Sequence, residues 1–200
     1  MIKTVIFDLG GVYFTDGTKR AIDVISSNYH VSEEKVKEVL KGELGTKYRI
    51  GAVTAGEFWK KAKRYWGIDA HSSELADIWF KGYKPIKGTV SIVDRLNIAG
   101  YEVIFLSDNV HERIDYLQKK YSFLHKFKGG VFSHIVKIRK PDLRIYQLVL
   151  KQASHPAKEC VYIDDKAELL EPAKRIGMAV IAFENPLQLE KKLKKLGLKF

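Results

Sequence analysis

The segment that most constrains the fold is Thr4–Phe7, a run of β-branched and aromatic residues that is followed at once by Asp8. Such a run is typical of a short buried β-strand, and Gly10-Gly11 just beyond it predicts a tight turn. In an open parallel sheet, ligands bind in the crevice beyond the carboxyl ends of the strands. Asp8 therefore either faces a ligand site or closes the turn by bonding to the backbone beside the glycines.

Two later apolar runs also end on polar residues. The run from 101 to 106 leads into Ser107-Asp108-Asn109, and the run from 160 to 163 leads into Asp164-Asp165. Shorter strands are predicted over 130–133 and 178–183, with helical patterns between the strands. This alternation predicts right-handed crossovers and a doubly wound parallel sheet of the α/β class. The polar groups that follow the strands would then converge at one edge of the sheet.

A block of helical pattern separates the first strand from the others. We predict that residues 1–15 and 87–200 form the α/β core, and that residues 16–86 form a helical cap inserted over the strand ends. Helix starts are predicted at three points of the block: Ser32, Thr54 with Glu57 as a capping box, and Ser72 or Ser73. Its aromatic residues, Trp59 and Trp79 among them, have helical spacing and are predicted to form the core of a small bundle. Further along the chain, Pro141 is predicted to open a helix that runs to Gln152.

The charge balance suggests an anionic partner. There are 35 basic and 24 acidic side chains, a net charge of +11. The lysines are dispersed, and the densest cluster, over 189–199, has leucines spaced as one face of a terminal helix, so its lysines are predicted to be a solvated face. We therefore expect a small phosphorylated metabolite as the partner rather than nucleic acid.

Cysteine content and hydropathy point to the cytoplasm. Cys160 is the single cysteine, so the chain has no disulfide framework and no cysteine-based metal site, and Cys160 itself is predicted to be buried in a strand. No apolar stretch approaches the ~20 residues that a membrane helix needs, and the amino end does not read as a signal peptide. We expect a cytoplasmic protein with no membrane partner.

The converging residues outline a site for phosphoryl transfer. The carboxylates of Asp8, Asp164 and Asp165 would repel one another without a cation, and an oxygen-rich site without His or Cys favours Mg²⁺. Lys140, in a loop between the second and third of these strands, suits a phosphate, as do a hydroxyl and free backbone amides. A carboxylate beside both groups can attack phosphorus as a nucleophile.

The chain resembles the haloacid dehalogenase (HAD) superfamily of hydrolases along nearly its full length. Four motifs carry the resemblance, in the family's order: Asp8-Leu9-Gly10, Ser107-Asp108-Asn109, Arg139-Lys140-Pro141-Asp142 and Tyr162-Ile163-Asp164-Asp165. The resemblance implies a Rossmann-like core and a phosphatase that works through an aspartyl-phosphate intermediate. The Asp-Leu-Gly start is similar to that of sugar-phosphate phosphatases, which implies a substrate such as glucose 1-phosphate. We expect a monomer or a homodimer.

The resemblance also implies roles for individual residues. Asp8 would be the nucleophile, and Lys140 would stabilise both the phosphate and the nucleophile. The implied phosphate-binding residues are Gly11, Ser107, Asp108 and Lys140. The implied magnesium ligands are Asp8, the carbonyl of Gly10 and Asp165, with Asp164 assisting.

Two positions depart from the family pattern. Gly10 stands where phosphatases of this family usually carry a second aspartate, which protonates the leaving group. Asp16 is a candidate substitute, although Asp16-Gly17 also predicts a turn. His111 and His134 are further candidates because they lie near predicted strand ends. Leu169 stands where the family usually has an asparagine that supports the metal site.

Two other functions stay open. The family's 2-haloacid dehalogenases also lack the second aspartate, and Tyr146 falls where they have a tyrosine. Against them stand Asp164-Asp165, which a metal-free reaction does not require, and the lack of an arginine before Arg20 to polarise a halide. A non-catalytic phospho-ligand or protein-binding module is the other alternative, although such a module has no need for a nucleophile beside a metal site.

Overall fold

The structure is a computed structural model that describes all residues 1–200. It contains five strands: β1 (Thr4–Phe7), β2 (Glu102–Ser107), β3 (Gly129–Phe132), β4 (Cys160–Asp164) and β5 (Ala179–Ala182). The helices between β1 and β2 are α1 (Gly17–Tyr29), α2 (Glu33–Lys41), α3 (Glu43–Arg49), α4 (Ala55–Trp66), α5 (Ser72–Lys81) and α6 (Lys87–Ile98). The later helices are α7 (His111–Tyr121), α8 (Ser133–Val136), α9 (Leu143–Gln152), α10 (Glu171–Arg175) and α11 (Pro186–Lys195).

The five strands form one parallel sheet in the order β3-β2-β1-β4-β5. Phe7, the last residue of β1, pairs with Phe105 on one side and with Ile163 on the other. The chain moves outward from β1 to β3 and then crosses back to β4, so the strand order reverses between β1 and β4. Ligands of such sheets bind at this reversal point. The predicted doubly wound α/β fold is confirmed, and Asp8 and Asp164 follow or end the two strands that flank the reversal.

The sheet is buried on both faces. Every residue of β1 is buried, as expected for the central strand of a parallel sheet. Val5 and Phe7 pack into the larger hydrophobic cluster, which also includes buried residues of the helices α1–α5. Ile6 points to the other face, where Ile145 and Ala173 of α9 and α10 cover the sheet. The period-2 alternation of a strand therefore divides β1 between two cores.

Aromatic side chains hold the inserted helices α1–α5 together. The rings of Phe58 and Trp59 on α4 lie 5.8 and 6.0 Å from that of Trp79 on α5, centroid to centroid. All three residues are buried, which confirms the prediction that these aromatics form a packed core. Such pairs stabilise a fold beyond the area they bury.

The predicted helix starts are confirmed at two positions. Ser32 accepts the N–H of Lys35, and Thr54 and Glu57 form a reciprocal capping box. The prediction at Ser72 or Ser73 is wrong, because Ser72 is already the first residue of α5 and no side chain caps this helix.

The start predicted at Pro141 is also wrong. Helix α9 begins at Leu143 because the carboxylate of Asp142 caps it, accepting the N–H of Arg144 at 2.9 Å. Asp is among the strongest capping residues, and here the preference of Asp for the cap outweighs that of proline for the first turn.

Two further segments differ from the sequence prediction. Helix α3 is not predicted, because Gly42 and Gly45 interrupt its pattern. After Asp165, one continuous helix to 176 is predicted, but the structure has a 3₁₀ turn at Ala167–Leu169 followed by the five-residue α10. A proline in the first turn of α10 begins this new helix.

The carboxyl-terminal helix α11 has the predicted division of faces. Leu189 and Leu193 are fully buried, whereas Lys191, Lys194 and Lys195 are exposed. Cys160 is buried, as predicted. None of the helices combines the length and the apolar character needed to cross a bilayer.

At the amino-terminal edge of the sheet, Glu102 is a buried carboxylate with a full set of donors. It accepts hydrogen bonds from Thr4 Oγ1 at 2.7 Å, from the N–H and Oγ of Ser154 at 2.8 and 2.7 Å, and from Lys128 Nζ at 2.9 Å. Burial alone would raise the pKa of Glu102, but these hydrogen bonds outweigh it and lower the pKa to about 2. The ionised carboxylate therefore stabilises the strand ends.

We expect Glu102→Gln to lower the free energy of unfolding at pH 7 by about 1–3 kcal/mol, because buried donors lose a charged acceptor. Since the pKa of Glu102 is lower in the folded protein than its ordinary 4.5, this stabilisation is fully present above that value and is lost as the pH falls toward about 2. Urea denaturation as a function of pH measures the difference. The exposed Glu184→Gln variant is the control, and an equal loss at every pH would contradict the prediction.

Candidate active site

Lys140 connects the two strands at the reversal point of the sheet. Its Nζ donates to Asp8 Oδ1 at 2.9 Å, to Asp164 Oδ2 at 2.7 Å and to the hydroxyl of Tyr162 at 2.9 Å. The Tyr162 hydroxyl also donates to Asp164 Oδ2. The Lys140 side chain is 2% exposed, and those of Asp8 and Asp164 are 9% and 0% exposed. One buried cation is thus shared by two carboxylates.

The charges at this point are only partly balanced. Burial raises the pKa of Asp8 to about 7 although Lys140 opposes the shift, and the negative charge of Asp164 adds to it. Burial would likewise raise the pKa of Asp164, but the charge and hydrogen bond of Lys140 prevail and lower it. The pKa of Asp165 rises to about 6 through burial and the charge of Asp164. Asp8 and Asp164 together hold the pKa of Lys140 well above its ordinary value despite burial.

The three carboxylates form a donor set for a hard cation. Ligand oxygens of Asp8, Asp164 and Asp165 all lie within 4.8 Å of one another. The carbonyl of Gly10 borders the same space and accepts no hydrogen bond. Carboxylate and carbonyl oxygens are the ligands that Mg²⁺ takes in proteins, and a divalent cation would balance the charge that Lys140 leaves uncompensated. The residues therefore fit the metal that the sequence predicts.

Asp165 lies against the turn that follows β1. A Cβ atom placed on Gly11 would overlap the carboxylate of Asp165, and Gly11 has a φ of +94°. Glycine adopts this conformation without strain, and its missing side chain leaves the space that the Asp165 carboxylate fills. The absence of a side chain at Gly11 therefore allows the Asp165 carboxylate to lie against this turn.

A cavity of about 700 Å³ opens over the carboxyl edge of the sheet. It is bounded by the strand ends and by residues of the inserted helices, including Lys41, Thr46 and Arg49. Five of the predicted site residues line it: Asp8, Gly10, Asp108, Lys140 and Asp165. Gly11, Ser107 and Asp164 do not line the cavity. Ser107 is 1% exposed, and its hydroxyl faces the Asn109 amide at 3.4 Å.

Asp108 positions the loop that carries Lys140. Its Oδ1 accepts the N–H of Lys140 at 3.1 Å, and its Oδ2 accepts Nε of Arg139 at 3.1 Å. The carboxylate of Asp108 is therefore occupied by the protein itself. The backbone N–H groups of Asp108 and Gly10 have no acceptor in the protein, and both residues line the cavity. Free amides of this kind bind anions.

The structure shows which groups surround Gly10 and Leu169, the two positions that depart from the family pattern, and the candidate substitute Asp16. Next to Gly10 lies the ring of Tyr83, whose Cε1 would be 3.4 Å from a Cβ at that position. Asp16 lines the cavity, but its carboxylate caps α1 by accepting the N–H groups of Thr18 and Lys19. At Leu169, the carbonyl accepts the hydroxyl of Tyr146 at 2.7 Å.

The two histidines proposed as acids do not line the cavity. His111 is exposed and lies 3.2 Å from Asp115. His134 Nδ1 lies 3.1 Å from the carbonyl of Asn109, and its ring stacks on Phe132. Burial lowers the pKa of His134.

Three residues that sequence reasoning did not single out line the cavity. Arg49 comes from the unpredicted helix α3, and Arg113 comes from α7. Thr46, also on α3, accepts Nη1 of Arg139 at 2.6 Å and so connects the inserted helices to the Lys140 loop. In the sequence, the two arginines resemble the solvated charged residues of amphipathic helices. Only their burial in the structure indicates a functional role.

The structure is a doubly wound α/β protein with an acidic centre at the carboxyl edge of its parallel sheet. A family model described as haloacid dehalogenase-like hydrolase matches residues 5–183. The chain therefore belongs to this family, and the resemblance found from the sequence motifs is confirmed.

Individual relatives agree with this assignment. The chain is 26% identical over 179 residues to the sesquiterpene phosphatase astK of Aspergillus oryzae, covering 88% of this chain and 87% of the relative. A HAD family enzyme from Bacteroides thetaiotaomicron, solved with magnesium and inorganic phosphate, superposes with a TM-score of 0.80 at 21% identity, covering 92% and 96% of the two chains. The L-2-haloacid dehalogenase of Xanthobacter autotrophicus superposes with a TM-score of 0.66 at 19% identity, covering 98% of this chain and 83% of the other. The two solved structures share the fold with this chain.

We expect Lys140→Met to lower the free energy of unfolding by about 3–5 kcal/mol when divalent cations are chelated, because two buried carboxylates lose their cation. Urea denaturation measures the loss, with Lys137→Met, at an exposed lysine of the cavity rim, as the control. In the Lys140→Met background, Asp164→Asn should restore part of the stability, since a neutral amide needs no cation. An equal loss from Asp164→Asn with and without Lys140 would show that the two groups are not coupled.

Proposed function

We propose that the protein is a magnesium-dependent phosphatase that hydrolyses a small phosphate monoester through an aspartyl-phosphate intermediate on Asp8. The observation that carries the proposal is that Lys140 bridges Asp8 and the buried Asp164. Asp8, Lys140 and Asp165 line a cavity whose wall has more basic than acidic residues. Asp8, Asp165 and the Gly10 carbonyl would hold the metal, with Asp164 assisting. Bound there, Mg²⁺ would neutralise charge on the phosphate oxygens.

The residues of the chain suit each task of such a reaction. Lys140 holds the Asp8 carboxylate in place and carries a charge that offsets that of the phosphate. The free N–H groups of Gly10 and Asp108 would donate hydrogen bonds to the phosphate oxygens. In this proposal Gly11 and Ser107 act at the edge of the site, Gly11 by admitting Asp165 and Ser107 by adjoining Asp108.

Two displacements at phosphorus complete the proposed cycle. An Asp8 oxygen attacks phosphorus, the bond between phosphorus and the ester oxygen breaks, and the leaving oxygen takes a proton. Water then attacks the phosphorus of the intermediate and loses a proton. The bond between phosphorus and Asp8 breaks, which releases inorganic phosphate and restores the carboxylate. Binding and orientation by fixed groups supply much of the rate in such reactions.

The cavity favours a polar substrate. Fourteen of its 23 lining residues are charged and only four are hydrophobic, which favours a substrate with charged and hydrogen-bonding groups. The sesquiterpene phosphatase is therefore a guide to the reaction rather than to the substrate.

We propose residues 16–86 as a cap over a core of residues 1–15 and 87–200. A sugar phosphate such as glucose 1-phosphate is of suitable size and polarity for the enclosed space.

The retained acidic pair favours phosphate over halide chemistry. A metal-free displacement at carbon gains nothing from Asp165, whose carboxylate lines the cavity. Burial and the charge of Asp164 disfavour the ionised form of this carboxylate. A divalent cation bound by the same oxygens would remove that cost. The similarity to a haloacid dehalogenase lies in the fold.

We expect phosphate release from a panel of phosphorylated metabolites to require Mg²⁺ and to fall by at least about 10³-fold in Asp8→Asn, since the nucleophile is lost. Colorimetric phosphate assays with and without EDTA measure it, and Asp69→Asn, at an exposed carboxylate, is the control. Metal-independent halide release from 2-haloacids, with no phosphate release across the panel, would overturn the proposal in favour of a dehalogenase.

The glycine at position 10 predicts a strong dependence on the leaving group. With no acid there, we expect rates to fall steeply from aryl to alkyl phosphates. Gly10→Asp should raise the rate for alkyl phosphates by about 10²-fold and change that for aryl phosphates little. A side chain at this position needs only a small shift of Tyr83.

Gly10→Asn is the matched control, since it adds the same bulk without an acid. The measurement is kcat/KM for a series of phosphates that differ in the pKa of the leaving alcohol. Equal effects of Asp and Asn, or a flat series for the natural protein, would show that position 10 does not limit proton transfer.

A further inference from the structure

Arg49 and Arg113 form a buried pair of cations in the cavity wall. Arg113 is 1% exposed and Arg49 is 8% exposed, and both line the cavity. Neither has a carboxylate within salt-bridge distance; every ion pair in this region belongs to other residues. Arginine is almost never fully buried without a partner, because removing its charge from water is costly.

The contacts of Arg113 leave one of its donors unused. Its Nε donates to Asn109 Oδ1, and its Cζ lies over the rings of Tyr83 and Trp79, 4.4 and 4.9 Å from the two centroids. Its Nη1 is buried and has no hydrogen-bond partner. The aromatic rings hold the cation in place but cannot accept its N–H groups as a carboxylate or phosphate would.

Arg49 is fixed in the same way from the side of the inserted helices. Its Nη1 donates to the carbonyls of Leu40 and Gly45 at 2.8 and 3.0 Å, and its Cζ lies 5.4 Å from the centroid of Trp79. Burial and the nearby charge of Arg113 lower the pKa of Arg49 to about 10. The charge of each guanidinium therefore disfavours that of the other, and no carboxylate lies within salt-bridge distance of either one.

The charged residues of the whole cavity wall also leave Arg49 and Arg113 without an acidic partner. Its wall has eight basic and six acidic residues. Four of the acidic side chains, Asp8, Asp16, Asp108 and Asp142, already pair with a basic neighbour. Asp165 belongs to the proposed metal site, and the sixth acidic residue, Glu168, is exposed. Among the buried cations of the wall, Arg49 and Arg113 are the two left without an acidic partner.

Building on the proposed phosphatase function, we infer that the substrate carries a second anionic group, a carboxylate or a second phosphate, which Arg49 and Arg113 bind while the scissile phosphate lies at Asp8. A planar guanidinium matches the oxygens of either group. One arginine comes from an inserted helix and the other from the core, so a ligand anion between them would connect the two parts of the chain. A neutral sugar monophosphate leaves this pair unpaired, which makes an acidic metabolite the better fit.

The test uses non-hydrolysable phosphonates, so that binding is measured without turnover. Carboxyalkyl phosphonates and alkane bisphosphonates of two to four carbons are compared with alkyl phosphonates of equal length, by isothermal titration calorimetry with Mg²⁺. We expect the doubly functional ligands to bind about 10- to 100-fold more tightly at one preferred length, as hydrogen bonds to charged groups imply. The carboxylate and bisphosphonate series distinguish the two kinds of second anion.

Variants then assign the effect to the arginines. In Arg49→Met and Arg113→Met, the ratio of the two Kd values should fall toward one, whereas in Lys137→Met, at an exposed cation of the same cavity, it should stay as in the natural protein. Methionine retains much of the packing, and if Arg113→Met does not fold, Arg49→Met alone decides the matter. An unchanged ratio in Arg49→Met would overturn the assignment.

The same compounds as phosphate esters separate this inference from the proposed function. Equal kcat/KM for alkyl and carboxyalkyl phosphates, together with equal Kd values for the phosphonates, would refute the second anion and leave the phosphatase intact. No hydrolysis of any phosphate, with discrimination among the phosphonates retained, would refute the phosphatase and leave the anion site intact.

Discussion

The shared ammonium of Lys140 is the contact on which the acidic centre depends. Asp8 and Asp164 are both buried, and neither charge would be stable at the edge of the sheet without a cation within hydrogen-bond distance. Burial, together with the charge of Asp164, keeps the pKa of Asp8 and of Asp165 raised, since one cation does not balance three carboxylates. The acidic centre therefore has more negative than positive charge. A divalent metal bound there would balance the excess negative charge of the carboxylates.

Sheet topology explains why this contact forms at this place. The strand order reverses between β1 and β4, which leaves a crevice where Asp8 and Asp164 face each other. Lys140 enters from the loop before α9, and Asp108 at the end of β2 fixes that loop by accepting the Lys140 N–H. Three neighbouring strands thus each contribute one carboxylate, two toward the Lys140 ammonium and one toward its backbone.

The sequence predicts the parts of this arrangement that depend on local pattern. Buried strands ending in polar residues are visible as apolar runs followed by Asp8 or by Asp164-Asp165, and their convergence follows from the parallel sheet alone. The start of α9 was missed because Asp142 and Pro141 favour different first residues, and propensity does not rank them. Arg49 and Arg113 were missed for another reason. Their burial results from long-range packing on Trp79, which no local pattern contains.

That packing gives the inserted helices a second function besides enclosing the cavity. Thr18 accepts the indole N–H of Trp79 at 3.0 Å and lies 2.6 Å from the hydroxyl of Tyr83, which fixes both rings. Those rings in turn contact Arg113 and Arg49. The aromatic core of the inserted helices therefore positions the two buried cations of the cavity wall. Tyr83 also occupies the space beside Gly10, where phosphatases of the family usually have their acid. The same aromatic residue thus contacts Arg113 in the cavity wall and borders Gly10 at the end of β1.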